Sequence, residues 1–536
     1  MSRSVVQPNS WVALRLPNDA LRVLQVAPNT TISLGKYGSF PSNLLMERPF
    51  HLTYEVQEKR PGENFSRLRI VPGAELNADI LAETNENEQT DGDAAIVVGE
   101  GEQLALVDES GKVVARSNRE IIDDSARQTL TADEIEVLKR EGASAGKELI
   151  AKLMLSHTAI DQKTSYSLAK YKLLKERKFL RRFSVLPLDV VLLGQWLLEN
   201  RDAWKVLELR PEMMGLLGCW ADVHFGGEPA QGVREPHGGR WLAVDDTGGL
   251  LVAALAERMG LLHHEPGEQA ASQGPGEEEE EGGEPAGGRG GHKRRPRTST
   301  TRTSVVAAGA ADDDPNPTYP YHPLFTNLLP ISWLQLVDPA QDVVCSEKPA
   351  DVTPDELASW KPNRRGNYHR KRRRWARTNE VIENTRAGGF SGLAVASTMD
   401  PVSVLREALP LLAGGAPIAI YSPTIEPLEQ LVDCFSIGRR AAWVSSLPAE
   451  AEGKTQAELD RWAGTREFPI NPTLVLGAAV QSSRARRWQV LPGRTHPFMT
   501  GRGGAEGFLF TGWRAIPAQG RVSARGKFQK RKGEAA

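Results

Sequence analysis

The first hundred or so residues alternate short apolar runs with turn formers. Trp11–Leu16, Leu21–Val26, Thr31–Leu34, His51–Val56, Leu68–Val71 and Ala94–Val98 each have strand length, and Pro17-Asn18-Asp19, Pro28-Asn29, Pro61-Gly62 and Pro72-Gly73 punctuate them. This spacing predicts a small all-β domain, a sheet or barrel, over residues 8–115, with the acidic run Glu83–Asp93 as a protruding loop. The period then changes. Thr131-Ala-Asp-Glu134 is a capping box ahead of Ile135 and Leu138, and Gly142 stops the pattern. Helices over Lys147–Ser156 and Ser167–Phe183 follow, so residues 116–184 are expected to form a helical connector in which Leu168, Tyr171 and Leu174 pack inward.

From Val185 onward strand and helix patterns alternate: Trp241–Val244 then Leu250–Met259, Leu393–Ala396 then Val402–Leu412, Pro417–Tyr421 then Pro427–Phe435. Alternation of this kind predicts a mostly parallel sheet with helices on its faces. Leu474–Val480, Arg486–Leu491 and Gly507–Ala515 are expected as antiparallel edge strands. The α/β domain is thus assembled from residues 185–265, 315–346 and 390–518. Residues 266–314, with Glu277–Glu281, a Gly-rich stretch, His292–Arg297 and a Thr/Ser-rich stretch, hold too few large apolar side chains to offset the entropy of ordering, and disorder is expected. Residues 347–389 form a second, basic insertion carrying Arg364, Arg365 and the run Arg370–Arg374, read as a long loop. Residues 519–536 are a basic tail.

Length and composition fit this division. A chain of 536 residues exceeds one ordinary core, and 40% apolar with 25% charged residues suits a globular protein. The net charge of −2 conceals segregated acidic and basic segments. Cys219, Cys345 and Cys434 are too few and too far apart for a disulfide framework or a CxxC-type zinc site, which points to a reducing compartment. No signal peptide or membrane span is expected, since the most apolar stretch, Val185–Leu198, carries Pro187, Asp189 and Gln195.

Candidate chemistry is sparse. Arg240–Gly260 reads as strand, turn and helix, the frame of a nucleotide or S-adenosylmethionine site, but Gly248 and Gly249 are adjacent rather than spaced, and Leu250 and Leu251 stand where small residues would be needed. A plain βα turn is the expectation. Gly392–Pro401 resembles the strand end at which methyltransferases place a catalytic carboxylate, but Asp400 directly before Pro401 suits a helix-start turn residue better. His263-His264-Glu265 lacks a third ligand nearby, and neither Ser403 nor His496 has a nucleophile-elbow context. The basic signals are stronger. Lys170, Lys172, Lys175, Arg177, Lys178, Arg181 and Arg182 lie among Tyr166, Tyr171, Phe179 and Phe183, a mixture that grips phosphates while rings pack or stack, although a solvated helix face has the same composition. Arg494 and the C-terminal tail are further candidates for RNA contact, and His292–Arg297 and Arg370–Arg374 equally fit nuclear-import signals.

Four segments, Gly35–Glu55, Ile121–Thr131, Val244–Ala254 and Val490–Thr500, resemble the non-catalytic subunit family of the eukaryotic tRNA adenine-58 N1-methyltransferase. The resemblance implies an α/β fold class with an N-terminal all-β domain: a β-barrel, then a Rossmann-like methyltransferase domain without a cofactor site. It implies that the chain holds no cofactor, that S-adenosylmethionine sits in a catalytic partner subunit, and that two subunits of each kind form a nuclear heterotetramer acting on tRNA. Two rival readings stay open at this point: an active S-adenosylmethionine-dependent tRNA methyltransferase, and a scaffold associated with translation initiation that uses the charged insertions as arms.

Overall fold

The computed structural model describes residues 4–57, 59–60, 62–76, 106–107, 113–115, 134, 145–156, 165–200, 203–224, 239–262, 304–308, 327–491, 494–498 and 506–516. They form two compact units. One takes its described residues from Ser2–Trp196 together with Ala485–Arg502, and the other from Leu197–Arg484 together with Gly503–Ala536. Expectations for His263–Glu265, Glu83–Asp93, Ala94–Val98, Thr131–Asp133 and the 519–536 tail lie outside the described residues.

The first unit is built on strands β1 (Trp11–Arg15), β2 (Leu21–Gln25), β3 (Thr31–Ser33), β4 (Ser39–Pro41), β5 (Thr53–Val56), β6 (Leu68–Ile70), β7 (Leu106–Val107), β8 (Val113–Ala115) and β9 (Arg182–Pro187), with helices α1 (Ala145–Leu155) and α2 (Ser165–Phe179). The main sheet has the order β2-β1-β9-β5-β6 and is antiparallel throughout. Among the described strands β2 and β6 stand at its edges, and β3–β4 form a separate hairpin. Its central strand is the part the sequence placed elsewhere. Arg182 and Phe183 were expected at the end of a helix and Val185 at the start of the α/β domain; instead the chain leaves α2 at Phe179, and 182–187 inserts between β1 and β5. The alternation Phe183, Val185 buried against Arg182, Ser184 half-buried has the two-residue period of a strand, a signal masked by the helical cation run before it. Phe183 stacks on Phe40 and Tyr54 with centroids 5.1 and 5.5 Å apart, within a core that includes Val12, Leu14 and Val185.

The second unit carries α3 (Val190–Asn200), which spans the division, α4 (Pro211–Trp220), β10 (Arg240–Asp245), α5 (Leu250–Arg258), β11 (Ser304–Ala308), β12 (Leu328–Ile331), α6 (Trp333–Val337), α7 (Val343–Ser346), α8 (Pro354–Ser359), α9 (Pro362–Arg386), β13 (Gly392–Ala396), α10 (Pro401–Ala408), β14 (Pro417–Ser422), α11 (Glu426–Cys434), α12 (Ile437–Ser445), α13 (Gln456–Asp460), β15 (Val475–Gln481) and β18 (Phe508–Arg514). Its sheet has the order β12-β11-β10-β13-β14-β18-β15, parallel from β12 to β14 and antiparallel at β18. Strand order therefore reverses at β10, the doubly wound arrangement in which ligands bind at the carboxyl ends of the strands flanking the switch. Strands β10 and β13 are buried on both faces, as parallel strands under helices must be. Gly392 fits because a Cβ there would lie 2.6 Å from the Ala221 carbonyl oxygen and 2.8 Å from the Trp241 ring.

Four expectations change here. Strand β18 is internal rather than an edge strand. Ser304–Ala308, inside the segment expected to be disordered, is β11, hydrogen-bonded between β10 and β12; its short apolar run was hidden by Thr- and Ser-rich flanks. The 347–389 insertion is helical over α8 and α9, with Ile382 in the main core. Arginine is a good helix former, and in the first four turns of α9 the only large apolar side chains are Tyr368 and Trp375, seven residues apart, so the pattern is hidden among arginines. Hairpin β16 (Trp488–Leu491) and β17 (Arg494–Pro497) belongs with the first unit, where β16 packs against α2.

Candidate functional site

At the switch point, the turn after β10 is shaped by two consecutive left-handed glycines, Gly248 at φ 67° and Gly249 at φ 91°, a conformation that side chains adopt only with strain. Gly249 caps α5, whose Leu250 and Leu251 are buried in the domain. Two of the first-turn amides, Leu251 N and Val252 N, groups that would otherwise greet an anion, are bound internally. Asp245 accepts through Oδ1 from Thr247 N and Oγ1, both at 2.6 Å, and through Oδ2 from Val252 N at 3.1 Å, while Thr247 Oγ1 accepts from Leu251 N at 2.9 Å. Asp246 faces the end of β13. Its Oδ2 accepts from Ser397 Oγ and, at 3.0 and 3.2 Å, from Thr398 N and Oγ1, and its own N donates to Ala396 O at 2.9 Å. The two strand ends that border the crevice are thereby tied together by one carboxylate. Asp400 is the N-cap of α10, accepting from Val402 N and Ser403 N at 3.4 and 3.0 Å, with Pro401 at the first helical position. Its carboxylate is engaged as a cap, the role its sequence position suggested.

No group of His, Cys, Asp and Glu that could hold a metal ion occurs among the described residues. No helix among them is long and apolar enough to cross a membrane. A cavity of about 270 Å³ lies beside Arg386, Arg406, Glu407 and Arg461. Two of its guanidinium groups serve the fold, Arg386 donating to the Leu336 carbonyl at 3.0 Å and Arg406 to the Pro469 carbonyl at 3.0 Å.

The structure separates the basic residues of 170–182 into three settings. Lys170 and Lys178 are exposed on α2, and Lys178 Nζ lies 5.4 Å from the Phe179 ring centroid. Lys172, Lys175 and Arg181 are half-buried, with Lys175 Nζ 4.7 Å from the centroid of Tyr171. Arg177 and Arg182 are engaged with carboxylates: Arg177 pairs with Asp19 at 2.7 Å, and Arg182, its side chain only 11% exposed, reaches Glu55 at 3.3 Å and Glu75 at 2.8 Å. The register explains the second arrangement, since Glu55 stands directly opposite Arg182 on β9 and opposite Arg69 on β6. Arg69 also bonds both carboxylates, and the hydrogen bonds it donates to Glu75 and Glu55 raise its pKa above the ordinary arginine range. Phe183, one of the rings interleaved with the cations, is core, whereas Leu174, expected inside, is 54% exposed. Arg494 opens β17, in the hairpin whose first strand lies against α2; candidates 312 residues apart in sequence, Arg182 and Arg494, thus belong to one unit.

Sequence reasoning missed the face of α9. Tyr368, Trp375, Ile382 and Thr385 hold the helix down: Tyr368 OH donates to Ala350 O at 3.1 Å, Trp375 Nε1 donates to Cys345 O at 2.9 Å, and Ile382 and Thr385 are buried. Most of the other side chains from Arg364 to Arg377 are cations. A heptad-like spacing of those inward residues is the signal that could have found the helix.

A model of the Gcd10p family matches residues 5–361. The chain is 42% identical to the tRNA (adenine(58)-N(1))-methyltransferase non-catalytic subunit trm6 of Aspergillus oryzae, over 99% of this chain and 95% of that one. It is 26% identical to the Schizosaccharomyces pombe protein of the same name, over 99% and 96%, and 21% identical to that of Mus musculus, over 76% and 75%. A solved tRNA (m1A58) methyltransferase TrmI from Aquifex aeolicus aligns over 96% of this chain and all of that one, but with 9% identity and a TM-score of 0.36 the likeness decides nothing.

Proposed function

The chain belongs to the Gcd10p family, and on that footing we propose that it is the non-catalytic subunit of a tRNA (adenine-58-N1)-methyltransferase, working with a catalytic partner subunit on tRNA. The observation that carries this reading is 42% identity, across 99% of the chain, to a protein bearing that name.

The geometry at the switch point supports a chain without its own cofactor. S-adenosylmethionine approaching the turn after β10 would meet amides already bonded to Asp245 and Thr247 and a crevice bridged by Asp246. Opening it would leave Leu251 N, Val252 N and Thr398 N in need of new acceptors, an unfavourable exchange in a partly desolvated site. The methyl donor then belongs to the partner, and this chain contributes binding surface. The cations of α2 that the structure leaves at the surface, Lys170 and Lys178, together with Lys172, Lys175 and Arg181, are the side chains proposed to meet the tRNA backbone, with Arg494 on the neighbouring hairpin. Two copies of each subunit, and residence in the nucleus, complete the proposal.

The deciding experiment compares the purified chain, the purified catalytic partner and their co-purified complex. Calorimetric titration with S-adenosylmethionine should show no site in this chain alone, and methyl transfer to tRNA should need both subunits. A micromolar cofactor site in the isolated chain, or methylation by it, would overturn the reading. Sedimentation of the complex reads its stoichiometry, and a fluorescent fusion reads its compartment.

A further inference from the structure

From Lys361 to Arg377 no Asp or Glu interrupts the sequence, and the cations there lie on one ordered helix, α9. Residues three, four and seven apart share a helix face. Arg370, Arg373, Arg374 and Arg377 have that spacing, and all four are exposed. They lie away from the stripe of Tyr368, Trp375 and Ile382 that holds the helix on its unit. Their span is roughly 10 Å at 1.5 Å of rise per residue.

Two observations set this row apart from an ordinary solvated face. Solvated helices usually alternate signs, and like charges at i, i+4 destabilise a helix. Here Arg370–Arg374 and Arg373–Arg377 repel, and the one carboxylate of α9 that shares their face, exposed Glu380, stands past the end of the row and forms no ion pair with it. Among the described cations of α9 only Arg372 forms an ion pair, with Asp351 at 2.9 Å. Arg370 and Arg373 reach only Asn367 Oδ1 and the His369 carbonyl, neutral acceptors of the helix itself. The face is also held in place, because Tyr368 and Trp375 are hydrogen-bonded to backbone carbonyls of the same unit, so little freedom is lost when a polyanion docks. We propose that this arginine row is a second RNA-backbone contact, separate from the α2 cations, which tracks consecutive phosphates of the tRNA and reads charge rather than base sequence. The proposal rests on the reading of the chain as a tRNA-binding subunit.

The test uses the full complex with its catalytic partner and measures the tRNA dissociation constant as a function of salt. Replacing Arg370, Arg373, Arg374 and Arg377 together by Gln should weaken binding about tenfold or more and reduce the slope of log K against log salt by about three to three and a half units. The single changes Arg373→Gln and Arg377→Gln, which disturb the helix least, should each reduce it by about 0.7 to 0.9. Lysines at the same four positions should keep the slope. Wild-type slope in all the Gln variants overturns the proposal while leaving the subunit reading intact, and loss of nuclear accumulation with unchanged slope would assign the row to import instead. If the wild-type complex itself holds no tRNA, both fall together.

Discussion

Arg182 separates a structural cation from a nucleic-acid contact, and its truncation has a calculable consequence. Its guanidinium is mostly out of solvent, 2.8 Å from Glu75 and 3.3 Å from Glu55. Removing one partner of a well-buried pair costs about 3–5 kcal/mol, and a single charged hydrogen bond contributes about 1.5–3 kcal/mol. Here Glu75 is 27% exposed, and Arg69 remains bonded to both carboxylates after the change, so water and the second arginine recover part of the loss. Arg182→Ala should therefore destabilise the first unit by about 2–3 kcal/mol. Lys178→Ala, at an exposed position on α2, should stay within about 0.5 kcal/mol of wild type. Urea unfolding of the full chain at fixed salt measures both, and a cycle with Glu75→Gln should show coupling of about 1 kcal/mol. If Arg182→Ala unfolds like wild type and instead lowers the salt dependence of tRNA binding, the ionic cluster has no structural role and Arg182 returns to the RNA-contacting set.

Deleting residues 266–300 should leave the second unit folded, whereas deletion of 266–314 removes β11 from between β10 and β12 and should abolish cooperative melting, as differential scanning calorimetry will record. Under native conditions at neutral pH a thiol reagent should modify exposed Cys219 first; burial, with help from Asp342, pushes the Cys345 thiol up to about 12, which keeps it protonated until unfolding, and mass spectrometry of the labelled peptides distinguishes the sites. Asp400→Ala should cost about 1 kcal/mol as a lost helix cap yet leave tRNA methylation by the complex unchanged; a fall of several orders of magnitude in an intact complex would make Asp400 catalytic instead.

Elements with a regular local pattern were legible in the sequence. The β10 turn with its adjacent glycines, the cap at Asp400 and the alternation of strands and helices around them follow from short-range chemistry, and the structure has them where the pattern put them. What could not be read depends on distant partners. Nothing near Arg182 announces that Glu55 will stand opposite it, so a cation inside a basic run looked like a surface charge. Ser304–Ala308 qualifies as a strand only because β10 and β12 flank it. Helix α9 was missed because its inward side chains recur at seven-residue spacing among arginines that dominate every window. Tertiary context overrode local composition in each case.

The place of β9 in the first sheet bears on how the chain is made. Strand β1 ends at Arg15, but its neighbour across the sheet begins only at Arg182, and Ser184 pairs with both Arg15 and Thr53. A nascent chain emerging from the amino end can form the β1–β2 and β5–β6 hairpins early, yet no strand joins them into one sheet until 182–187 has been synthesised. Paired ribbons of two strands are marginal on their own, and contacts between residues so far apart form slowly. A fragment ending near residue 115 would hold both hairpins and no sheet between them, so amino-terminal truncation products should expose the apolar side chains that Phe183 and Val185 cover in the complete chain.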